Sequence, residues 1–394
     1  MPARVGTGGP PGTEAAGPAD GPAAPGGYHS GVNTRQSSPL SDALAMAAPG
    51  RPLRDGLDRI LRAKRGALVV VGDGPHVLSI CSGGFLLDAE FSPQRLSELA
   101  KMDGAIILAA DASRIARANV HLMPDASIPT SETGTRHRTA ERVARSIDVP
   151  VLSVSAAMSV IAVYRHDLKH TIQPTGWLHD RTDQALATMQ RFRNRFDVAL
   201  NGLSVLEVED TVSVGDVVSV VQAAEMLLRI AEEVDGYLVE LGDDGRLVGL
   251  QSIELVDGVA PVLNLVVRDY LGHLPGDDET RDAVVDRVVG QLSNLTSEQL
   301  RDAGRVAGIL GLPESFNDTE SGIEPRGYRL LYRLPRFSDT IIERIVDRFL
   351  NLQQIMRASL TELEQVEGVG QARAHSVKDG LARLAEASIF ERYQ

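Results

Sequence analysis

Two short segments concentrate side chains that can do chemistry. In Gly134-Thr135-Arg136-His137-Arg138-Thr139, two hydroxyls, two guanidiniums and an imidazole occupy six residues. The pattern of 135–147 predicts that a helix begins there. Cations oppose the helix dipole at an N-terminus, so Arg136 and Arg138 stand against local preference. An anion on the free backbone N–H groups resolves that conflict, and arginine forks match phosphate oxygens at two points. The competing reading is a solvated basic turn ahead of Glu141. The second segment, Lys101-Met102-Asp103-Gly104-Ala105, places a carboxylate where a helix ends and a strand begins. Its structural alternative is a Schellman-type stop, with Gly104 at positive φ and Asp103 solvated beside it. Neither segment contains a phosphate-loop signature, a dinucleotide fingerprint or a metal-spaced His/Cys set.

A third segment lies near the C-terminus. Thr361-Glu362-Leu363-Glu364 reads as a capping box opening a short helix. The turn Glu367-Gly368-Val369-Gly370 follows, then a helix over 371–387 with Ala374, Val377, Leu381 and Leu384 facing inward. This is the helix-hairpin-helix pattern: glycines allow the tight turn and let backbone N–H groups approach a nucleic-acid phosphate. An ordinary αα-hairpin is the alternative. A degenerate copy precedes it in Leu334-Pro335-Arg336-Phe337 and a Ser338-capped helix over 341–350. Candidate DNA contacts are Arg336, Gly368, Val369, Gly370, Arg373 and Lys378.

The elements that must position these groups read as follows. Residues 1–27 hold 8 Gly, 6 Pro and 6 Ala, too little apolar side chain to offset ordering entropy, so a flexible tail is expected over 1–34. A short helix over 41–48 capped by Ser41 and an amphipathic helix over 57–62 come next. Strands are predicted at 67–71 and 76–80, joined as a hairpin across Gly72-Asp73-Gly74-Pro75. Ser92-Pro93 opens a helix; 105–109 and 114–123 form an antiparallel pair; 151–155 and 160–172 add further strands. Hairpins interleaved with helices indicate an α/β domain with a mixed sheet over 35–178. An α-helical spine is predicted over 179–328, with helices at 180–200, 217–234 and 278–292, a hairpin pairing 237–241 with 246–250, and a Thr296/Gln299 capping box. Arg181, Arg191, Arg193 and Arg195 form a solvated face of the first. An all-α tandem helix-hairpin-helix domain occupies 329–394.

Composition bounds the function. The 394 residues suit two or three domains. The net charge of −13 argues against a chain that coats nucleic acid by bulk charge. Residues 331–394 hold nine Lys/Arg and nine Asp/Glu, so a DNA-binding tail works through a few phosphates and gains from multiple copies. A single cysteine, Cys81, excludes an internal disulfide and suits a reducing cytosol. No stretch approaches the roughly 20 apolar residues of a membrane helix, and no membrane partner is expected.

In order and spacing, residues 99–106, 117–122 and 131–141 resemble the diadenylate cyclase domain, with Asp103-Gly104-Ala105 and Arg136-His137-Arg138 matching its two signature tripeptides. Pro52 to Leu57 and Cys81 to Phe85 resemble the version found in the DNA integrity scanning family, and the likeness extends over roughly residues 35–394. The resemblance implies condensation of two ATP into cyclic di-AMP with release of two pyrophosphates, each 3′-hydroxyl attacking the other nucleotide's α-phosphate across facing half-sites. It implies Asp103, Arg136, His137 and Arg138 as catalytic candidates, with Asp103 either ligating Mg²⁺ (Mn²⁺ as substitute) or accepting the 3′-OH proton. Gly104 and Ala105 would admit backbone close to the nucleotide, and Leu122 would wall the adenine pocket. Thr135 and Thr139 would hold phosphate or ribose oxygens, with His137 binding phosphate or orienting a neighbour. It further implies a homo-oligomer, an octamer, sensing branched or junction DNA in a cytoplasmic, nucleoid-associated setting. The alternative function is a DNA-repair scaffold whose nucleotide domain does not turn over.

Overall fold

The computed structural model describes residues 39–272, 280–312 and 322–391; the expected N-terminal tail lies outside them. The first domain opens with helices α1 (Pro39–Met46) and α2 (Pro52–Arg62). Strand β1 (Ala67–Val71), helix α3 (Pro75–Ser79), strands β2 (Cys81–Ser82) and β3 (Phe85–Glu90) and helix α4 (Pro93–Leu99) follow. Then come β4 (Ala105–Leu108), β5 (Arg114–Leu122), α5 (Thr135–Ser146), β6 (Val151–Ser155), β7 (Val160–Arg165) and β8 (Leu168–Ile172). The sheet order is β2-β5-β4-β1-β6-β7-β8, with β3 also on β5. Among the described residues only β1 and β4 pair in parallel, Leu68 opposite Ala105; the other pairs run antiparallel.

β1 is buried along its whole length because both sheet faces are covered. Side chains alternate across a strand, so Val69, Ile106, Leu108 and Val163 pack under α2 and α4 with Leu57, Ile60 and Leu96. Leu68, Val70, Ile107 and Val151 pack on the other face with Ala140, Val143 and Ala144 of α5. The expected mixed-sheet α/β domain is therefore what the chain builds.

Local expectations needed correction. The second strand of the 67–80 hairpin is helix α3: Pro75 takes its first position, and both edges of β1 are occupied by β4 and β6. Ser41 lies inside α1, which is already helical at Pro39. Ser92 does cap α4, accepting from the Arg95 N–H at 3.2 Å.

The helical spine contains α6 (Thr175–Glu209), α7 (Val214–Leu241), a 3₁₀ turn over Gly242–Gly245, α8 (Arg246–Val256), α9 (Val259–Tyr270), α10 (Arg281–Ser293), α11 (Ser297–Arg301) and α12 (Ala303–Ile309). The hairpin expected around 242–245 is absent, because Leu238 and Leu241 continue the helical stripe of α7. Gly245 folds back onto that stripe: a Cβ there would lie 2.8 Å from Leu238 Cδ2 and 3.0 Å from Leu241 Cβ. The expected Thr296/Gln299 box caps α11. Thr280 caps α10; the two residues that should have begun that helix, 278 and 279, lie outside the described residues. An 18-residue window within Val214–Tyr270 reaches mean hydropathy 1.4, apolar enough to cross a membrane by composition, where no such stretch was expected. In this fold Val217, Val221, Ala224 and Leu227 of α7 are buried against Phe196 and Leu203 of α6 and Leu263 and Val267 of α9. Arg193 leaves the solvated face of α6 and ties it to the end of α8, donating to the carbonyls of Leu255 at 3.1 Å and Asp257 at 2.9 Å.

The tail comprises α13 (Tyr328–Tyr332), α14 (Asp339–Phe349), α15 (Leu352–Arg357), α16 (Leu360–Glu364) and α17 (Gln371–Glu391) around Tyr328, Ile342, Ile345, Leu363, Ala374 and Val377. The capping box of α16 is Ser359 with Glu362, two residues before the expected pair, because Thr361 is already helical. A buried polar junction fastens tail to spine. Arg329 of α13 pairs with Glu207 of α6 and donates to Ser204 Oγ at 2.9 Å. Glu207 also accepts from Tyr270 Oη at 2.7 Å. Asp269 accepts the backbone N–H groups of Gly327, Tyr328 and Arg329 at 2.7, 2.6 and 2.9 Å, capping α13. Burial and the Glu207 charge push the Asp269 carboxyl up to about 7 against those donors.

Removing one partner of a buried ion pair leaves the other charge stranded. Arg329→Leu is therefore expected to destabilise the spine–tail unit by roughly 3–5 kcal/mol, read as a lower urea midpoint by circular dichroism; an unchanged midpoint would refute this role. A second contact joins β8 of the first domain to α7 of the spine, with His170 Nε2 lying 2.7 Å from Glu240 Oε1. The Glu240 carboxylate beside it raises the imidazole pKa against burial. With the folded value above the unfolded one, the stabilisation is complete below about pH 6.5 and lost as pH rises through the folded value. Thermal unfolding across that range should show the loss in the wild type and not in His170→Gln.

Candidate active site

The two chemical segments meet at one end of the sheet. α4 ends just before Asp103, which leads into β4, while α5 begins at Thr135. Arg136 Nη2 donates to Asp103 Oδ1 at 2.8 Å. The Asp103 side chain is 94% exposed and that of Arg136 45%, so the pair is a solvent-facing contact that a ligand can displace. Gly134 precedes α5 at φ 85° with no side-chain cap, which leaves the first N–H groups of the helix open to an anion. Thr135 and Arg138 are exposed and Thr139 is half-buried, whereas His137 is buried.

Backbone proximity explains the glycines. Gly104 does not adopt positive φ, so the Schellman-type stop is corrected. A Cβ at Gly104 would lie 2.6 Å from Asn119 Cα and carbonyl C. Asn119 takes φ 55°, a conformation asparagine tolerates, and it sits at a register shift between β4 and β5. Gly84 meets the same residue, its Cβ position lying 2.9 Å from Asn119 O. Gly66, which sequence reasoning missed, holds the guanidinium: a Cβ there would lie 2.7 Å from Arg136 Nη1 and 3.2 Å from Val154 O. Its only sequence signal is a glycine directly before a buried strand. Ala105 is buried opposite Val120. Leu122, at the same end of β5, is buried among Val77, Val120 and Cys81.

Further side chains missed from sequence support α5 from behind. Glu141 folds back to the preceding loop, accepting from Thr130 Oγ1 and from Ser131 N at 3.1 Å, and pairs with the Arg145 guanidinium at 3.0 Å. Burial would raise its pKa, but those donors hold it below the ordinary value. His137 Nδ1 lies 2.9 Å from Tyr164 Oη, which donates to Glu132 Oε1 at 3.1 Å. Burial pushes the His137 imidazole pKa down. No signal in single-sequence spacing pairs Tyr164 with His137.

In the tail, the two turns share their backbone form. Arg336 at φ 71° stands in the first copy where Gly368 at φ 89° stands in the second. A cleft of about 430 Å³ between them is lined by residues including Arg336, Phe337, Gly370 and Arg373. Arg336 is exposed. Val369 is a core side chain at 4% exposure, and its N–H bonds to Val366 O. Arg373 donates to Gly368 O, and Lys378 to Met356 O, each at 2.6 Å. Arg344 of the first copy reaches Glu367 of the second, at 3.2 Å to its carbonyl and 3.6 Å to its carboxylate.

Sequence comparison decides the family. Over 354 residues the chain is 50% identical to the DNA integrity scanning protein DisA of Kineococcus radiotolerans, covering 90% of this chain and 97% of that one. It is 51% identical to the protein of the same name from Acidothermus cellulolyticus, covering 90% and 95%. The chain belongs to the DisA family. Residues 54–168 match the family profile described as DisA bacterial checkpoint controller nucleotide-binding, and residues 172–319 the one described as its linker region. As a DisA-family member it is a diadenylate cyclase, as the paired tripeptides implied.

Adding a methyl where backbone already sits 2.6 Å away must move a strand. Gly104→Ala should lower stability by about 1–3 kcal/mol by calorimetry, in the range of overpacking substitutions, and reduce cyclic di-AMP formation; wild-type values for both would contradict the close-approach account.

Proposed function

We propose that two ATP molecules, held in two copies of this site facing one another, are condensed into cyclic di-AMP with release of two pyrophosphates, and that branched DNA bound by the tail controls the rate. The observation that carries the catalytic part is the Asp103–Arg136 contact at the uncapped start of α5, a displaceable carboxylate–guanidinium pair beside an anion-ready helix end. Arg136 and Arg138 neutralise the triphosphate, and Thr135 and Thr139 take phosphate or ribose oxygens. Leu122 walls the adenine side, and Gly104 and Ala105 meet the nucleotide through backbone, since the Cβ direction of Gly104 is filled by Asn119 and the Ala105 methyl is buried. One bound ATP supplies only one attacking 3′-hydroxyl, so the second half-site must come from another copy. Phe85 and Leu86 of edge strand β3, with Met123 just after β5, are 55%, 74% and 62% exposed, which supports such a contact between copies; the octameric count rests on resemblance alone.

Asp103 also fits a metal site of limited kind. Among the described residues no three His, Cys, Asp or Glu cluster as a metal cage. Mg²⁺ suits one or two carboxylates plus substrate phosphates, and Mn²⁺ can substitute. Asp103 with the triphosphate oxygens would hold the ion, which when bound offsets charge on the leaving pyrophosphate. Asp103 as acceptor of the 3′-OH proton is the other role these residues allow.

For the tail, the proposal is sequence-independent contact with a few phosphates by Arg336, Gly368, Val369, Gly370, Arg373 and Lys378. Val369 would take part through backbone alone, since its side chain is buried. Arg344 partly offsets the Glu367 charge beside the turn. Nine basic against nine acidic residues over 331–394 make each copy weak, so several tails on one oligomer grip a junction by avidity. We assign the division 35–178 for the cyclase domain, 179–328 for the spine and 329–394 for the DNA-binding domain, ahead of which 1–34 is a tail. A cytoplasmic, nucleoid-associated setting follows from this reading.

Asp103→Asn should retain the fold by circular dichroism and abolish cyclic di-AMP, followed by chromatography of ATP incubated with Mg²⁺ or Mn²⁺; product at the wild-type rate would overturn the assignment. Four-way junction DNA should slow ATP turnover more than linear duplex at equal nucleotide concentration. Equal rates with both would remove the coupling.

A further inference from the structure

A chain of four side chains runs behind the first turn of α5. Lys169 Nζ, on β8, lies 2.5 Å from Glu132 Oε1 in the loop before the helix. The same carboxylate oxygen accepts from Tyr164 Oη, on β7, at 3.1 Å. Tyr164 Oη lies 2.9 Å from His137 Nδ1. Tyr164 is 1% exposed and His137 8%, so water does not substitute freely for either partner.

Proton counting along this chain has one solution. A carboxylate beside an ammonium accepts only, and a phenol carries a single proton. Burial and the Glu132 charge push the Tyr164 pKa up, so the phenol keeps its proton and gives it to Glu132. The phenol oxygen must then accept from His137, which requires an N–H at Nδ1. The ring itself is neutral: burial lowers its pKa, and Lys169 and Arg136 act the same way against the pull of Glu132. A neutral imidazole protonated at Nδ1 carries a bare lone pair at Nε2.

We propose that Tyr164, Glu132 and Lys169 are positioning residues of the cyclase site, fixing His137 in the Nδ1–H tautomer so that Nε2 accepts a hydrogen bond from a ribose hydroxyl of bound ATP. The inference rests on the reading that nucleotide binds at the start of α5, and it gives His137 a role distinct from phosphate binding. A neutral ring with a bare nitrogen repels a phosphate oxygen and suits a hydroxyl donor.

The full-length protein with ¹⁵N-labelled histidine tests this directly, since ring nitrogen shifts separate the two tautomers. Nine histidines are present, and His137→Gln identifies the signal of interest. The wild type is expected to show Nδ1 protonated and Nε2 bare. Tyr164→Phe removes the acceptor and should move the ring toward the Nε2–H form, with kcat down by about 10-fold or more and KM for ATP within about twofold. Glu132→Leu reaches the same end by another route: the phenol proton loses its acceptor at Oε1 and turns onto Nδ1, which moves the ring to the Nε2–H form. Catalytic loss in both variants, with thermal midpoints near the wild type, separates positioning from general damage. An active wild type with an Nε2–H ring, or a folded Tyr164→Phe with wild-type kcat, overturns the inference. A wild type that forms no cyclic di-AMP refutes the functional reading beneath it instead, whatever the tautomer.

Discussion

The parallel pairing of β1 with β4 is the constraint on which the site depends. Two parallel neighbours must start at the same end of the sheet, so the turn after α4, with Asp103, is brought level with Gly66 ahead of β1. β6 runs antiparallel to β1, with Val154 opposite Ala67. α5 leads into β6 and returns along the sheet, so it begins where β6 ends. Arg136 therefore starts beside Val154 and Gly66, within reach of Asp103. Residues 33 positions apart meet because of topology; no local preference brings them together.

The molecule uses charge in two opposed ways. The Asp103–Arg136 pair is exposed and worth at most about 1 kcal/mol, so a competing anion can replace the carboxylate at little cost. The Glu207–Arg329 pair is almost fully enclosed, at 1% and 4% side-chain exposure, and is surrounded by Ser204, Tyr270 and the Asp269 cap. Buried charge of that kind tolerates no missing partner, so the junction holds only with all its members in place. The site is thus held loosely where a ligand must enter and rigidly where two helical units join. Behind α5, the His137–Tyr164–Glu132–Lys169 chain combines the two, with its histidine enclosed and its lysine partly in solvent.

The legible part of the fold is what short-range physics settles. Continuous apolar runs marked β1, β4 and β6, and Ser92-Pro93 marked the start of α4. The glycine-bounded turn at 367–370 marked the second hairpin, and the two chemical segments stood out through residue types alone. The failures share one cause: a local signal that a longer-range partner overrules. The 72–75 turn looks like a hairpin until β4 and β6 occupy both edges of β1. Gly242-Asp243-Asp244-Gly245 looks like another until Leu238 and Leu241 continue a helical stripe. Gly104 has the composition of a helix stop, yet its missing side chain answers to Asn119 on another strand. Tyr164, Glu132, Gly66 and the Glu207–Arg329 junction are contacts between elements distant in sequence, and single-residue spacing carries no trace of them.

The unbroken length of α6 has a mechanical consequence. Its 35 residues span about 50 Å at roughly 1.5 Å per residue, with no proline after Pro174 to hinge it. One end follows directly from the sheet at β8; the other carries Ser204 and Glu207, gripped by the tail. A rod so fixed acts as a lever. Tilting it by about five degrees about the gripped end displaces the sheet end by roughly 4 Å for that length. That exceeds the separation of a guanidinium from its carboxylate, so small rotations at the tail end of α6 become displacements of chemical size at the sheet end.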